Sequence, residues 1–225
     1  RQQEVLFNTP AAISRIYRRT QSVYRMVVSA ENSRDLGGKE LSYHWTVLSG
    51  DPERVTIHPL DNERKRVELR VGWMPRHPTH TGSELSSNRI EIGCFVKNTT
   101  HFSAPAFITF FTLDNEERTY DDSGRIQEVV YRGGSDQGNY VDVFVDAPKS
   151  WRDVYEYDAD GKCLGWTRHR GKKVDEFTAD GRIVLENTKQ TGSRRVAEVE
   201  YFSIPKTSNP LGVLDYRITD RIHEE

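Results

Sequence analysis

Apolar residues in this chain recur at every second position in short runs, and turn-forming residues close each run before it reaches helical length. Residues 41–48 carry the clearest case: Leu41, Tyr43, Trp45 and Val47 fall on one face, Ser42, His44, Thr46 and Leu48 on the other. Side chains alternate across a strand, so this pattern buries one face and sends Trp45 into a core. Similar runs span 24–29, 55–58, 66–73, 89–97 and 104–113, parted by Gly37-Gly38, Ser49-Gly50-Asp51-Pro52 and Asp61-Asn62. Helix-like spacing is confined to residues 11–23, which read as a short helix or an edge strand. The polar stretch 74–88, with two prolines, two histidines and three serines, exceeds the usual connection length and reads as a functional or mobile loop.

The fill available for a core points the same way. Hydrophobic residues make up only 35 % of the chain, but 10 Tyr, 9 Phe and 4 Trp suit thin sheet-on-sheet interiors. The 225 residues are enough for two domains of ordinary size, expected at 1–113 and 114–225. With 32 Lys plus Arg against 34 Asp plus Glu, no global field favours nucleic acid or an anionic membrane surface, and local basic clusters such as 15–19 and 168–173 read as solvated faces. The sequence has no apolar run of membrane-spanning length, so a membrane-embedded chain is not expected. Its first residue is Arg1 rather than Met, which suggests a piece of something longer. Cys94 and Cys163 fall in different expected domains and are not expected to pair.

Beyond residue 113 a motif repeats. Tyr120-Asp121-Asp122-Ser123-Gly124-Arg125-Ile126, Tyr157-Asp158-Ala159-Asp160-Gly161-Lys162-Cys163 and Phe177-Thr178-Ala179-Asp180-Gly181-Arg182-Ile183 each place an aromatic before a tight turn, a Gly suited to positive φ, then a basic and an apolar residue. Each reads as a hairpin. Their glycines are 37 and then 20 residues apart, so the second domain is expected as an irregular antiparallel β-hairpin meander. The tail is read as a strand at 196–203, a loop at 205–212, an edge strand at 213–218 and a frayed end at 221–225.

Ser33, Asp35, Gly38, Leu41, Tyr43 and Trp45, followed by Ser49-Gly50-Asp51-Pro52 and Val55-Thr56-Ile57, resemble the PKD family, whose pattern runs Ser and Asp, a Gly turn, then Leu-x-Tyr-x-Trp. The resemblance covers residues 12–113. It implies an immunoglobulin-like β-sandwich with Trp45 between the sheets and Cys94 on the sixth strand, and a spacer or adhesion role in an exported parent protein. The hairpins of the second half look like those of RHS or YD-repeat proteins, a likeness of architecture.

Catalytic frameworks such as a nucleophile elbow, phosphate loop or dinucleotide fingerprint do not occur, and Gly133 to Gly138 does not precede a helix. His77, His80 and His101 offer imidazoles for a metal, but Pro78 holds that segment extended. Glu31, Asp35 and Asp51 offer oxygen ligands for calcium, and turn capping competes with that role. Asp158, Asp160 and Asp180 could supply a glycosidase carboxyl pair, but each sits in a turn slot that favours Asp anyway. No cofactor or metal is expected. The binding candidates are Trp151, Tyr155, Tyr157 and Trp166, flat aromatic faces that stack on sugars or peptides, with a role as the core of the second domain as the competing reading. The expectation is a non-catalytic, all-β binding or spacer module, extracellular or at the cell surface, with a polysaccharide or protein ligand. The alternative is an accessory region of a secreted, polymer-degrading hydrolase.

Overall fold

In a computed structural model the chain is all-β. The structure describes residues 3–133, 138–142, 150–188, 193–206 and 209–224. The chain divides into two compact units, Arg1–Asp114 with Asn139–Asp142, and Asn115–Gly138 with Val143–Glu225.

Unit 1 begins with β1 (Gln3–Asn8), β2 (Ala12–Tyr17), β3 (Val23–Ser29) and β4 (Ser42–Ser49). A 3-10 turn, Pro52–Arg54, leads into β5 (Val55–Pro59) and β6 (Arg66–Gly72). The two-residue strands β7 (His77–Pro78) and β8 (Ser86–Ser87) precede β9 (Arg89–Lys97) and β10 (Ala106–Phe111). One sheet has the order β1-β2-β10-β9-β4, with β2 parallel to β10, and a second has the order β3-β6-β5. Registered pairs decide what each sheet turns inward. Tyr24, Met26 and Val28 lie opposite Val71, Leu69 and Val67, while Trp45 and Ala106 flank Cys94 and Ile108 lies beside Ile92. Val67, Leu69, Val71 and Ile92 are fully buried. Each aliphatic side chain so removed from water contributes about 1.5–3 kcal/mol. Tyr17 of β2 packs against Tyr24 of β3 at 4.5 Å and Phe110 of β10 at 5.2 Å, closing one sheet onto the other. The Trp45 indole donates to the Arg64 carbonyl at 2.9 Å, which satisfies its one polar atom.

Residues 11–23 therefore hold no helix, and β2 is an internal strand because β1 covers its outer side. Ile13 and Ser14 follow β10 in parallel register, where ladder hydrogen bonds outweigh a weak helical spacing. The long polar stretch is tied down rather than loose. Its Ser86 exchanges main-chain bonds with Asn139 and Val141, and Asp142 accepts from Ser87 Oγ and from the Asn88 amide at 3.2 Å. Buried Asn88 and Thr112 both donate to the Met74 carbonyl.

Unit 2 is one antiparallel sheet whose strands lie side by side in chain order. They are β11 (Glu116–Tyr120), β12 (Ile126–Tyr131), β13 (Trp151–Tyr157), β14 (Cys163–Arg170), β15 (Lys173–Thr178), β16 (Ile183–Thr188), β17 (Ser193–Lys206) and β18 (Asn209–Glu224). The tail corrects two expectations. Strand continues to Lys206 and resumes at Asn209, which pair with each other, so most of the expected 205–212 loop is ladder. The expected frayed end is paired as well, Glu224 with Arg195 and Ile222 with Ala197. Long-range pairing supplies partners that a local reading cannot see.

All three repeated hairpins close with the same turn. Asp121 Oδ1 accepts from the amides of Ser123 and Arg125, both at 2.9 Å, and Asp158 Oδ1 accepts from those of Asp160 at 3.0 Å and Lys162 at 2.8 Å. Thr178 substitutes its hydroxyl, which accepts from the Arg182 amide at 3.1 Å. The glycine in each donates back to the carbonyl of the first turn residue at positive φ, a type I turn with a G1 bulge. The same arrangement occurs twice in unit 1. Asp35 accepts from the amides of Gly37 and Lys39, and Asp61 from those of Lys65 and Arg66. At the second of these Arg64, with φ of 60°, stands where the others have glycine.

Candidate functional site

Three of the four aromatic candidates, Trp151, Tyr155 and Trp166, lie on cross-strand rows of one face of unit 2. Glu116, Tyr131 and Trp151 form one row. Arg118, Val129, Asp153, Arg168 and Asp175 form the next. Tyr155, Trp166, Phe177, Ile183 and Ala197 form a third. Tyr155 and Trp166 stack at 5.7 Å, Trp166 and Phe177 at 5.0 Å with planes 4° apart, and Phe177 meets the edge of Tyr216 at 5.6 Å. Trp151 belongs to a separate stack, on Tyr131 at 4.5 Å. Tyr157 stands apart at the first hairpin, donating to the Ile126 carbonyl at 2.7 Å with the Arg125 guanidinium over its ring.

Between the aromatic rows runs a ladder of charge. Arg168 forks onto Asp153, Nε to Oδ1 and Nη2 to Oδ2, both at 2.7 Å. Its guanidinium lies 5.6 Å from the Trp151 ring, 5.3 Å from Phe177 and 5.5 Å from Tyr216. Thus the rings enclose an arginine of the chain itself. Burial pushes the Asp153 carboxyl up, and Arg168 pulls it back, while Asp153 holds Arg168 protonated. Arg170 donates to Asp175 at 2.6 Å and to the Tyr216 oxygen at 2.6 Å. Burial alone would raise Asp175, but Arg170, Lys173 and the Tyr216 hydroxyl hold it below the usual carboxylate range. Arg118 and Glu116 make a further pair, 0 % and 3 % exposed.

All four sequence candidates are half-buried. The aromatic line that contains Tyr155 and Trp166 reaches solvent at Tyr201, 6.0 Å from Tyr216 and 48 % exposed. Sequence reasoning missed Phe177, Tyr216 and Tyr201. The Phe177 position was visible as the aromatic of the third repeat, whereas Tyr201 and Tyr216 meet only through the β17–β18 register.

The other sequence candidates hold structural places. Asp35, Asp158 and Asp51 accept turn amides, the last from Glu53 at 2.9 Å. Asp180 accepts from the Thr178 hydroxyl at 2.5 Å and pairs with Arg182. The amide of Asp160 donates to Asp158. His77 and His80 ring nitrogens lie near the carbonyls of Pro75 and Thr81. Among the described residues no three His, Cys, Asp or Glu side chains converge as a metal site. None of the described helices is long and apolar enough to cross a membrane. Both cysteines are free.

Unit 1 holds a second feature that the sequence did not reveal, an open cavity of about 450 Å³ at one end of its two sheets. Its floor is Trp45, Cys94, Val28 and Ile108, all buried. Burial pushes the Cys94 thiol up to about 11, so it stays neutral. Small residues at Ala30 and Ala106 leave the space that larger side chains would fill. No protein-family model matches this sequence, and no curated protein is significantly similar to it.

Proposed function

We propose that this chain is a non-catalytic β module of a larger exported protein, working outside the cell or at its surface, and that it binds carbohydrate or protein through unit 2. The observation that carries the reading is the aromatic line Tyr155, Trp166, Phe177, Tyr216 and Tyr201, anchored in buried rings and ion pairs and open to solvent at Tyr201. A rigid ring exposed at the end of a locked stack offers a flat face at low entropic cost. The turn and ion-pair roles of Asp158 and Asp180 support a binding role over hydrolysis.

The PKD-like, immunoglobulin-type reading of unit 1 is supported by strand order. Strands β2, β10, β9 and β4 make one sheet and β3, β6 and β5 the other, with β2 parallel to β10 and Trp45 between Cys94 and the Arg64 turn. Such modules space or present their neighbours.

The test is retention of the full 225-residue chain on a panel of immobilised polysaccharides and extracellular-matrix proteins, compared with Tyr201→Ala and Trp166→Ala. Retention that falls at least tenfold in Tyr201→Ala with unchanged melting supports the proposal. Wild-type retention that survives both substitutions contradicts it, and a chain retained by nothing is a spacer.

A further inference from the structure

Sheet edges are where β proteins either guard themselves or accept a partner. Among the described residues unit 1 has four, because its larger sheets end at β1, β4, β3 and β5. Three carry a recognised guard. Register breaks at a bulge between Val5 and Phe7 in β1 and between Val47 and Ser49 in β4, and β5 ends in Pro59. β3 has neither bulge nor proline: Val-Tyr-Arg-Met-Val-Val-Ser pairs with β6 in unbroken register and contains no Pro or Lys. Its one charge, Arg25, is paired with Glu68, and Val23 and Val27 are 50 % and 51 % exposed.

The unguarded edge adjoins the cavity. Val28, Ser29 and Ala30, at the end of β3, form one wall of the 450 Å³ space, opposite Ala106 and Ile108 of β10. Not one Asp, Glu, Lys, Arg or His lines it. Its size lies in the range, roughly 300–1,000 Å³, of sites that hold a ligand. Among the described residues no strand pairs with the outer side of β3, so its outward main-chain groups ask for another extended chain, and a neutral pocket beside them asks for an apolar side chain. Strand addition supplies both at once: main-chain bonds give affinity, and pockets for alternate side chains give specificity. A small apolar molecule would fill the pocket but leave the main-chain row without a partner.

We propose that the β3 edge accepts an extended peptide segment as an added strand, and that a bulky uncharged side chain of this peptide enters the cavity over Trp45 and Cys94. This site is separate from the aromatic line of unit 2 and stands or falls independently of it.

The experiment uses the full chain and fluorescein-labelled octapeptides of the form Ser-Thr-Val-X-Val-Thr-Ser-Thr, with X varied over the twenty amino acids. Fluorescence anisotropy is expected to rank Phe, Leu and Ile at X at least tenfold above Asp and Lys. N-methylation of the two valine amides in the Phe peptide is expected to abolish binding, as is Ala106→Phe, which fills the cavity. The peptide series and the N-methylated control need no protein variant, so the proposal stays testable should Ala106→Phe fail to fold. No binding by any of the twenty peptides overturns it, as does binding indifferent to N-methylation, the mark of a small-molecule pocket. Self-association of the chain lost on Val27→Lys also overturns it, since the occupant would then be a second copy.

Discussion

Unit 1 and unit 2 solve the same problem, hiding one face of a sheet, with different materials. Unit 1 faces sheet with sheet and fills the gap with Val67, Leu69, Val71, Ile90 and Ile92, with Ser14, Glu68 and Thr109 as polar residues buried within its strands. Unit 2 is a single sheet with a sparser supply of buried aliphatics, and its buried face includes Arg118, Glu116, Asp153 and Asp175 beside Phe177. Apolar packing tolerates vacancies, as the open cavity in unit 1 demonstrates. A charge ladder does not, because every buried ion needs its partner. The two units should therefore respond in opposite ways to the same kinds of substitution.

The sharpest contrast comes from removing one ion against removing both. Asp153→Ala leaves Arg168 buried among Trp151, Phe177 and Tyr216 without its carboxylate, and is expected to cost about 3–5 kcal/mol by urea denaturation. The double change Asp153→Leu with Arg168→Met should recover most of that loss. Equal losses in the single and double variants would mean that unit 2 depends on the pair itself. In unit 1, Trp45→Ala is expected to cost about 3–5 kcal/mol through lost packing, with no second substitution able to restore it by charge alone.

Backbone geometry gives the next effect. Gly165 has φ of 153°, and a Cβ there would lie 2.1 Å from the Phe177 carbonyl oxygen, so β14 and β15 approach too closely for any side chain. Gly165→Ala should cost roughly 3 kcal/mol and perturb the Trp166 fluorescence. No local pattern marks this constraint, since the neighbouring carbonyl belongs to another strand.

Acid should also separate two buried carboxylates, Glu68 of unit 1 and Asp153 of unit 2. Hydrogen bonds from Arg70 and then Arg25 hold Glu68 of unit 1 below the usual carboxylate range. A depressed folded-state pKa adds stability that is present above the unfolded value, near 4.3, and is lost as pH falls through the lower folded value. Burial shifts Asp153 of unit 2 upward against the opposing pull of Arg168, so it lacks the depressed value through which Glu68 loses stability in acid. Melting scans from pH 6 to pH 2 should show Glu68→Gln flattening the acid loss, whereas Asp153→Asn should not. The smallest effect is expected at Arg64, which holds φ of 60° in a turn whose counterparts use glycine. Arg64→Gly should raise stability by up to about 1 kcal/mol.

Local signals carried much of the fold. The alternation around Trp45 and the three Gly turns each depend on residues a few positions apart, and strands and turns follow from them. The turns at Asp35 and Asp61 obey the same hydrogen-bond rule but lack a common spelling, since Arg64 replaces the glycine. What stayed hidden depends on register. Trp151, Tyr155 and Trp166 were legible as a cluster, yet their division into two stacks around Arg168 follows from which residues face each other across β12 to β15. The cavity beside β3 is the extreme case. Ala12, Ser29 and Ala106 of β2, β3 and β10 bound it over a floor that includes Trp45 and Cys94, and none of these signals a site by itself.

Strand addition at the β3 edge is tested most directly by a titration of the uniformly ¹⁵N-labelled chain with the Phe octapeptide, read by amide shifts. The prediction is that the amides of Val28, Ser29 and Ala30 and the Trp45 indole shift together, with those of Asp153 and Arg168 unmoved. Shifts confined to unit 2, or absent from the whole spectrum at millimolar peptide, would contradict it.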